Sequence, residues 1–253
     1  MTRLPLRMRL RNNPPPVQAG RKAPARPPAA AGETRSARTR PLRRGHLVTA
    51  LVCTAAAAQS VPALLAEGAG LRLLQQARAR GLDPRGSLIV VSVPDQRLAL
   101  LAPEAAPRFY SVSTSKWGTG ALRDSNRTPT GWHRVSDWIG AQARPGQAFV
   151  SRRPTSEVLP QTAWRSGGTG DYVLTRILWL DGLEPGVNRG GDADSRARCI
   201  YLHGTNQEHL LGRPASHGCI RLANRDVMEL FDLTRGRQTY CWITETPLDK
   251  LHD

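Results

Sequence analysis

From Ser87 to Thr244 the apolar residues of this chain come in short, β-branched runs separated by turn formers, and few architectures accommodate that pattern. The spacing predicts strands over residues 87–93, 97–102, 108–115, 131–135, 171–180, 198–203 and 238–244, with Pro94, Asp95 and Gln96 turning the first hairpin. Many short strands with turn signals between them argue for an all-β core of sandwich or barrel type. One helix is expected inside it, over residues 224–233, where Val227, Leu230 and Phe231 share a face. A lead-in helix is expected over 71–80, ended by Gly81 and Pro84, and 246–253 is read as a C-terminal tail. Residues 139–170 and 181–197 lack periodicity and are read as long loops, functional or disordered.

The N-terminal part does not join this pattern. Residues 1–45 hold twelve Arg or Lys against one acid, Glu33, and are rich in Pro, Ala and Gly, so they bury too little apolar surface to order themselves. Without them the net charge of +16 falls to +5, with 24 basic and 19 acidic residues left. The tail has no aromatic interleaving, Gly-Arg repeat or binding fold, so no nucleic-acid partner is expected. Arg43 and Arg44 lead into an apolar stretch that closes on Ala55 to Ala58, and residues 46–66 are read as a signal peptide or signal anchor. Export to the periplasm or cell envelope follows, with membrane contact only through an uncleaved N-terminal segment. Lead-in residues 67–86 then precede the folded domain, 87–245. After cleavage three cysteines remain, Cys199, Cys219 and Cys241, an odd number that leaves one thiol free in an oxidising compartment.

The chemistry concentrates in His203-Gly204-Thr205-Asn206 and, after a short interval, Ser216-His217-Gly218-Cys219-Ile220-Arg221-Leu222. A cysteine nucleophile acts through its thiolate, which an imidazole, a cation or a helix N-terminus favours. His203, His217, Arg221 and the helix near Asn224 supply all three, so a depressed thiol pKa for Cys219, titrating together with His203, is expected. Gly218 permits a turn that directs successive N–H groups to one point. Cys199 and Cys241 read as small core residues in strands, with a disulfide between them left open. Cys199, His203, His217 and Cys219 would suffice chemically for zinc, but C-x3-H and H-x-C match no usual zinc spacing, so neither metal nor cofactor is expected. His133 and His209 read as solvated surface residues. Trp179 reads as core, while Trp132, Trp138 and Trp164 are core or groove-lining. Arg144, Arg152, Arg153 and Arg165 read as a solvated loop cluster.

HGTN followed by SHGCIRL, with Thr128-Pro129-Thr130-Gly131 upstream, resembles the YkuD-like L,D-transpeptidase catalytic domain over roughly residues 87–243. The resemblance implies a β-sandwich with the cysteine in a loop that leads to a helix. It implies Cys219 as nucleophile and His203 as base, with the Gly204 carbonyl orienting His203. It further implies His217, Gly218 and Cys219 as oxyanion N–H donors, Ser216 as turn-fixing residue, and Arg221 as holder of the loop or of a substrate carboxylate. The substrate implied is the peptidoglycan stem peptide. Cys219 attacks the carbonyl of its third residue, a terminal D-amino acid leaves, and an amine resolves the thioester; carbapenems are expected to acylate the same thiol. An envelope protein as acceptor, water as acceptor (an L,D-carboxypeptidase) and a non-catalytic peptidoglycan-binding scaffold are the alternatives.

Overall fold

The run Ser-Leu-Ile-Val-Val-Ser forms strand β1 (Ser87–Ser92), and all six residues are buried. A strand without polar alternation needs cover on both faces. In the computed structural model, which describes residues 70–83, 86–102, 105–167 and 170–251, both covers are present. Ile89 and Val91 face an interior cluster with Leu98, Leu178, Leu202 and Ile243. Leu88 and Val90 face a second cluster, capped by Leu73 and Ala77 of helix α1 (Gly70–Ala79). Leu248 and Leu251 complete that second cluster, so the segment read as a tail packs against the domain. A leucine buried to this extent contributes about 1.5–3 kcal/mol, which makes both flanking segments part of the stable unit.

The remaining elements are β2 (Arg97–Leu101), β3 (Arg108–Ser113), β4 (Gly131–Ile139), β5 (Gln147–Val150), β6 (Arg153–Val158), α2 (Ala163–Ser166), β7 (Val173–Gly182), β8 (Tyr201–Gly204), β9 (Ile220–Leu222), α3 (Asn224–Thr234) and β10 (Thr239–Thr244). Hydrogen bonding runs β4-β10-β1-β2-β3-β9-β8-β7, and β4 also pairs with β7, so the sheet closes on itself. Strand β4 makes this closure by pairing with β10 through Gly131–Ile243 to Arg134–Tyr240 and with β7 through His133–Gly182 to Ile139–Ile177. A register shift between Val135 and Asp137 bends it between the two partners. Helix α3 sends Val227, Leu230 and Phe231 into the interior cluster. The mainly β architecture with a helix after the cysteine motif is the one the sequence implies.

Two loops differ from expectation. Residues 139–170 contain the hairpin β5–β6 and helix α2. The hairpin turns through Ser151 (φ 48°) and Arg152 (φ 67°), which carry none of the Asn-Gly signal usual for such a turn. Its outer strand β6 is exposed on most residues and contains Pro154, which only a sheet edge tolerates. Residues 181–197 are irregular but built around buried side chains, since Asn188 and Ser195 are fully inaccessible. Asn188 Nδ2 donates to the carbonyls of Thr130 (2.9 Å) and Trp132 (3.1 Å), and its Oδ1 accepts from Glu184 N (3.0 Å). Gly131 (φ +91°) closes the Thr-Pro-Thr-Gly segment because a Cβ there would meet Glu184 Oε2 at 2.1 Å. No described helix is long and apolar enough to cross a membrane, and the tail and signal segments lie outside the described residues.

Candidate active site

Strand β8 carries His203 beside β9, the two strands running parallel with His203 opposite Arg221 and Leu202 opposite Ile220. Leu202, Ile220 and Leu222 enter the interior cluster, so the alternate residues Tyr201, His203 and Arg221 take the other face. Cys219 directly precedes β9 and is partly exposed on that face, packed with Cys199 and Trp179 against Phe149, Ile177 and Tyr201. The parallel pairing of two short strands thus joins HGTN to SHGCIRL.

His203 is buried, and its Nδ1 lies 2.8 Å from the Gly204 carbonyl. A carbonyl only accepts, so Nδ1 holds the proton and Nε2 carries the lone pair. Burial pushes its pKa down to about 4, against the opposing pull of the Gly204 carbonyl and Asp171, so the ring is a neutral base at pH 7. The Cys219 thiol is pushed up to about 11, chiefly by burial, and lies 3.3 Å from the Cys199 carbonyl, to which it donates. This corrects the expectation of a depressed thiol. Helix α3 begins only beyond β9, and its first N–H and the Asn224 side chain both donate to Glu208 Oε1 at 2.8 Å. A carboxylate therefore already occupies the helix N-terminus that was expected to favour the thiolate.

The turn before Cys219 is held from several sides. Ser216 Oγ donates to the Cys219 carbonyl (2.6 Å) and accepts from Gly218 N (3.2 Å). Thr128 Oγ1 donates to the Gly218 carbonyl (3.0 Å), which gives the upstream Thr-Pro-Thr-Gly segment its place at the site. Gly218 itself sits at φ +121°, in backbone space that L side chains rarely adopt. Asn206 fixes the neighbouring segment by accepting from Tyr172 N (3.1 Å) and donating to the carbonyls of Gly167 (2.9 Å) and Gly170 (3.1 Å). Gly204 is pressed against Asn224, whose Oδ1 would lie 2.4 Å from a Cβ there.

Asp171 stands at the centre of the polar network, and sequence reasoning missed it. Its Oδ2 accepts from Arg221 Nη2 and from His217 Nδ1, the latter at 3.0 Å. Arg221 Nη1 donates to Gln207 Oε1 (2.9 Å), and the Arg221 side chain is 1% exposed. Of the two roles expected for Arg221, this arrangement serves the loop and leaves the guanidinium turned to protein acceptors. His217 is exposed and lies against Trp117, ring centroids 4.9 Å apart. No sequence motif marks Asp171, which lies 46 residues before His217 and 50 before Arg221; its signal is only that a buried Arg needs a counter-ion.

Other expectations are also corrected. His133 is fully buried, its Nδ1 donating to the Gly131 carbonyl and its Nε2 accepting from Ser195 Oγ, each at 3.0 Å. Cys199 precedes β8 in a left-handed conformation (φ 58°) rather than lying within a strand. Cys241 packs in the interior cluster while Cys199 lies on the site face, so both thiols are free. Trp179 is only partly buried on that face, between the guanidinium groups of Arg152 (4.3 Å) and Arg196 (4.1 Å). Arg152 Nη1 also donates to Tyr201 Oη (3.0 Å), which takes it out of the solvated cluster. Trp132 and Trp164 are buried, and His209 is exposed as expected. Among the described residues no group of three or more His, Cys, Asp or Glu is placed to hold a metal ion.

Fold and site together define a mainly β domain that presents a cysteine and a neutral histidine on one face of a closed sheet. The model of the YkuD L,D-transpeptidase catalytic domain matches residues 86–243, more than half of the chain, and the chain belongs to that family. It is similar to an L,D-transpeptidase from Xylanimonas cellulosilytica at 19% identity, covering 67% of this chain and 68% of that one, with a TM-score of 0.36. It is also similar to an L,D-transpeptidase from Mycobacterium smegmatis (17% identity, 62% and 58% covered, TM-score 0.37). A third likeness is to L,D-transpeptidase 3 from Mycobacterium tuberculosis (13% identity, 63% and 61% covered, TM-score 0.35). The chain spans less than two thirds of the latter two. A search of curated proteins returned no match.

Proposed function

We propose that this chain is a peptidoglycan L,D-transpeptidase of the cell envelope, exported through its N-terminal segment, with Cys219 as nucleophile and His203 as general base. The observation that carries the reading is His203 itself, a neutral imidazole whose Nδ1–H is held by the Gly204 carbonyl, leaving Nε2 as acceptor beside the strand that follows Cys219. With the thiol protonated and the ring neutral at rest, proton transfer accompanies attack rather than preceding it. The Cys219 sulfur adds to the carbonyl of the third stem residue as its proton passes to His203 Nε2. The N–H groups of His217, Gly218 and Cys219 face the oxyanion; those of His217 and Cys219 carry more of this role, because Gly218 N already donates to Ser216.

Collapse of the tetrahedral intermediate breaks the peptide C–N bond. The His203 proton goes to the leaving amine of the D-amino acid, and a thioester remains on Cys219. An amine from a second stem peptide, or from an envelope protein, gives up its proton to His203 as it attacks the thioester, restoring the thiol. No step requires a metal or organic cofactor. The test is intact-protein and fragment mass spectrometry of the full chain with purified wall tetrapeptides. The expected result is loss of a terminal D-amino acid, a thioester on Cys219 and a crosslinked dimer, with no adduct in Cys219→Ser. Release without dimer would make water the acceptor, and no adduct with either peptides or a carbapenem would remove the enzyme reading.

A further inference from the structure

With Arg221 turned to Asp171 and Gln207, the site still contains a cation without an acid. Arg198 follows the irregular loop 181–197 and is partly buried. Its Nη2 donates to the Arg127 carbonyl (2.7 Å) and its Nη1 approaches the Gly120 carbonyl (3.3 Å). Among the described residues it forms no ion pair, whereas Arg123, Arg134, Arg196 and Arg221 each have a carboxylate. Burial draws its guanidinium below the ordinary value, and the nearest opposing influences are Cys219 and Asp124. A partly buried guanidinium facing mainly neutral acceptors can take an anion as a further partner.

The space in front of it has the right place and size. A cleft of about 330 Å³ is lined by Arg123, Asp124, Asn126, Arg198, Ile200 and His217. Its wall is the wall of the nucleophile turn, since a Cβ on Gly218 would meet Arg127 O at 3.3 Å and Ile200 Cδ1 at 3.5 Å. Arg123 is paired with Asp192 at 3.5 Å and His217 with Asp171 at 3.0 Å, so Arg198 is the lining group left to receive an anion, against the repulsion of Asp124. Guanidinium donates up to five hydrogen bonds in a planar fork; Gly120 O, Arg127 O and, at 3.5 Å, Ser125 Oγ take three of them, which leaves Nε–H and one Nη1 hydrogen for a carboxylate.

We propose that Arg198 is the substrate-carboxylate anchor of this enzyme, binding a free carboxylate of the stem peptide in the Asp124–Arg198 cleft and so setting the scissile carbonyl over Cys219. The proposal rests on the acyl-transfer reading above for the identity of the peptide. The carboxylate comes from the terminal D-amino acid or from an acidic side chain of the stem, and the test separates them.

Binding is measured by calorimetry on the full chain carrying Cys219→Ala, so that no chemistry intervenes. The ligands are a stem tetrapeptide, its C-terminal amide and its side-chain amide. Loss of at least about tenfold in affinity on one amidation, in line with removal of a charged hydrogen bond, identifies the carboxylate bound. Adding Arg198→Gln then brings the free acid down to the level of that amide. If the Gln variant does not fold, Arg198→Lys is read instead, where a point charge replaces the fork and lowers the preference at least about threefold. An acid preference unchanged in the Arg198 variant, or absent in the parent, overturns the proposal while leaving the acyl-transfer reading intact. Binding by none of the three peptides removes both.

Discussion

His133 on β4 and His203 on β8 are both buried, and burial pushes both pKa values down to about 4. They differ in what the second ring nitrogen meets. His133 has Gly131 on Nδ1 and Ser195 on Nε2, a closed set of partners inside the ring of strands. His203 has the Gly204 carbonyl on Nδ1, and no hydrogen bond to its Nε2 is formed among the described residues. A displaced pKa alone therefore does not separate the two rings; the nitrogen of His203 left open to the site does.

The strongest way to break this comparison is to remove each ring. His203→Ala should lower the rate of carbapenem adduct formation by about 10² to 10⁴-fold with the fold retained, the usual contribution of a general base. His133→Ala should leave the rate of the folded protein near parental and instead lower stability by about 1–3 kcal/mol, because Ser195 Oγ and the Gly131 carbonyl lose a buried partner. Intact-protein mass against time and urea midpoints read the two effects. A slow His133→Ala beside a parental-rate His203→Ala would reverse the assignment.

The pH dependence of stability follows next in size. Both folded values lie near 4, below the ordinary histidine value of 6.5, so as pH falls the unfolded chain takes up protons first. Stability is thus fully present above about pH 6.5 and is lost between about 6.5 and 4, on the order of 3 kcal/mol for each ring. His133→Gln should remove about half of this acid limb without touching acylation, whereas His203→Gln should remove a similar part and lose acylation. A urea midpoint flat from pH 7 to 4.5 would show that neither ring is displaced.

Asp171→Asn sharpens the account of the surrounding network. It leaves Arg221 buried without its carboxylate and frees His217, and a loss of about 1.5–3 kcal/mol is expected, the scale of charged hydrogen bonds, since Asp171 is a third exposed. Acylation should fall as well, because the turn bearing the oxyanion donors loses its tie. Unchanged thermal midpoint and rate would mean that Gln207 alone holds Arg221.

The smallest effect concerns the thiols. With Cys219 protonated up to about pH 11, its alkylation by iodoacetamide should climb steadily with pH instead of levelling near neutrality. Cys241 is fully buried and its thiol raised further by burial alone, so it should label only on unfolding. A plateau for Cys219 below pH 7 would restore the thiolate expected from the sequence. Peptide mapping of the alkylated cysteines gives the answer.

The sequence alone determined the β-rich class, seven of the ten described strands, helix α3 and the candidate cysteine–histidine pair, because short β-branched runs and two dense local motifs are written in adjacent positions. It missed β5, β6 and β9: the hairpin turns without Gly or Asn, its outer strand is polar because it is an edge, and β9 is three residues long with an arginine at its centre. Only the tertiary structure decided the electrostatics of the site. Local pattern places a helix after Cys219, but only packing puts Glu208 on that helix's first N–H and Asp171 on Arg221. The same holds for His133, whose polar neighbours in sequence suggested solvent while strand pairing with Cys241 turned it inward. Burial and counter-ions are properties of distant residues brought together, so pKa values and the availability of Arg198 are set by contacts that no stretch of sequence contains.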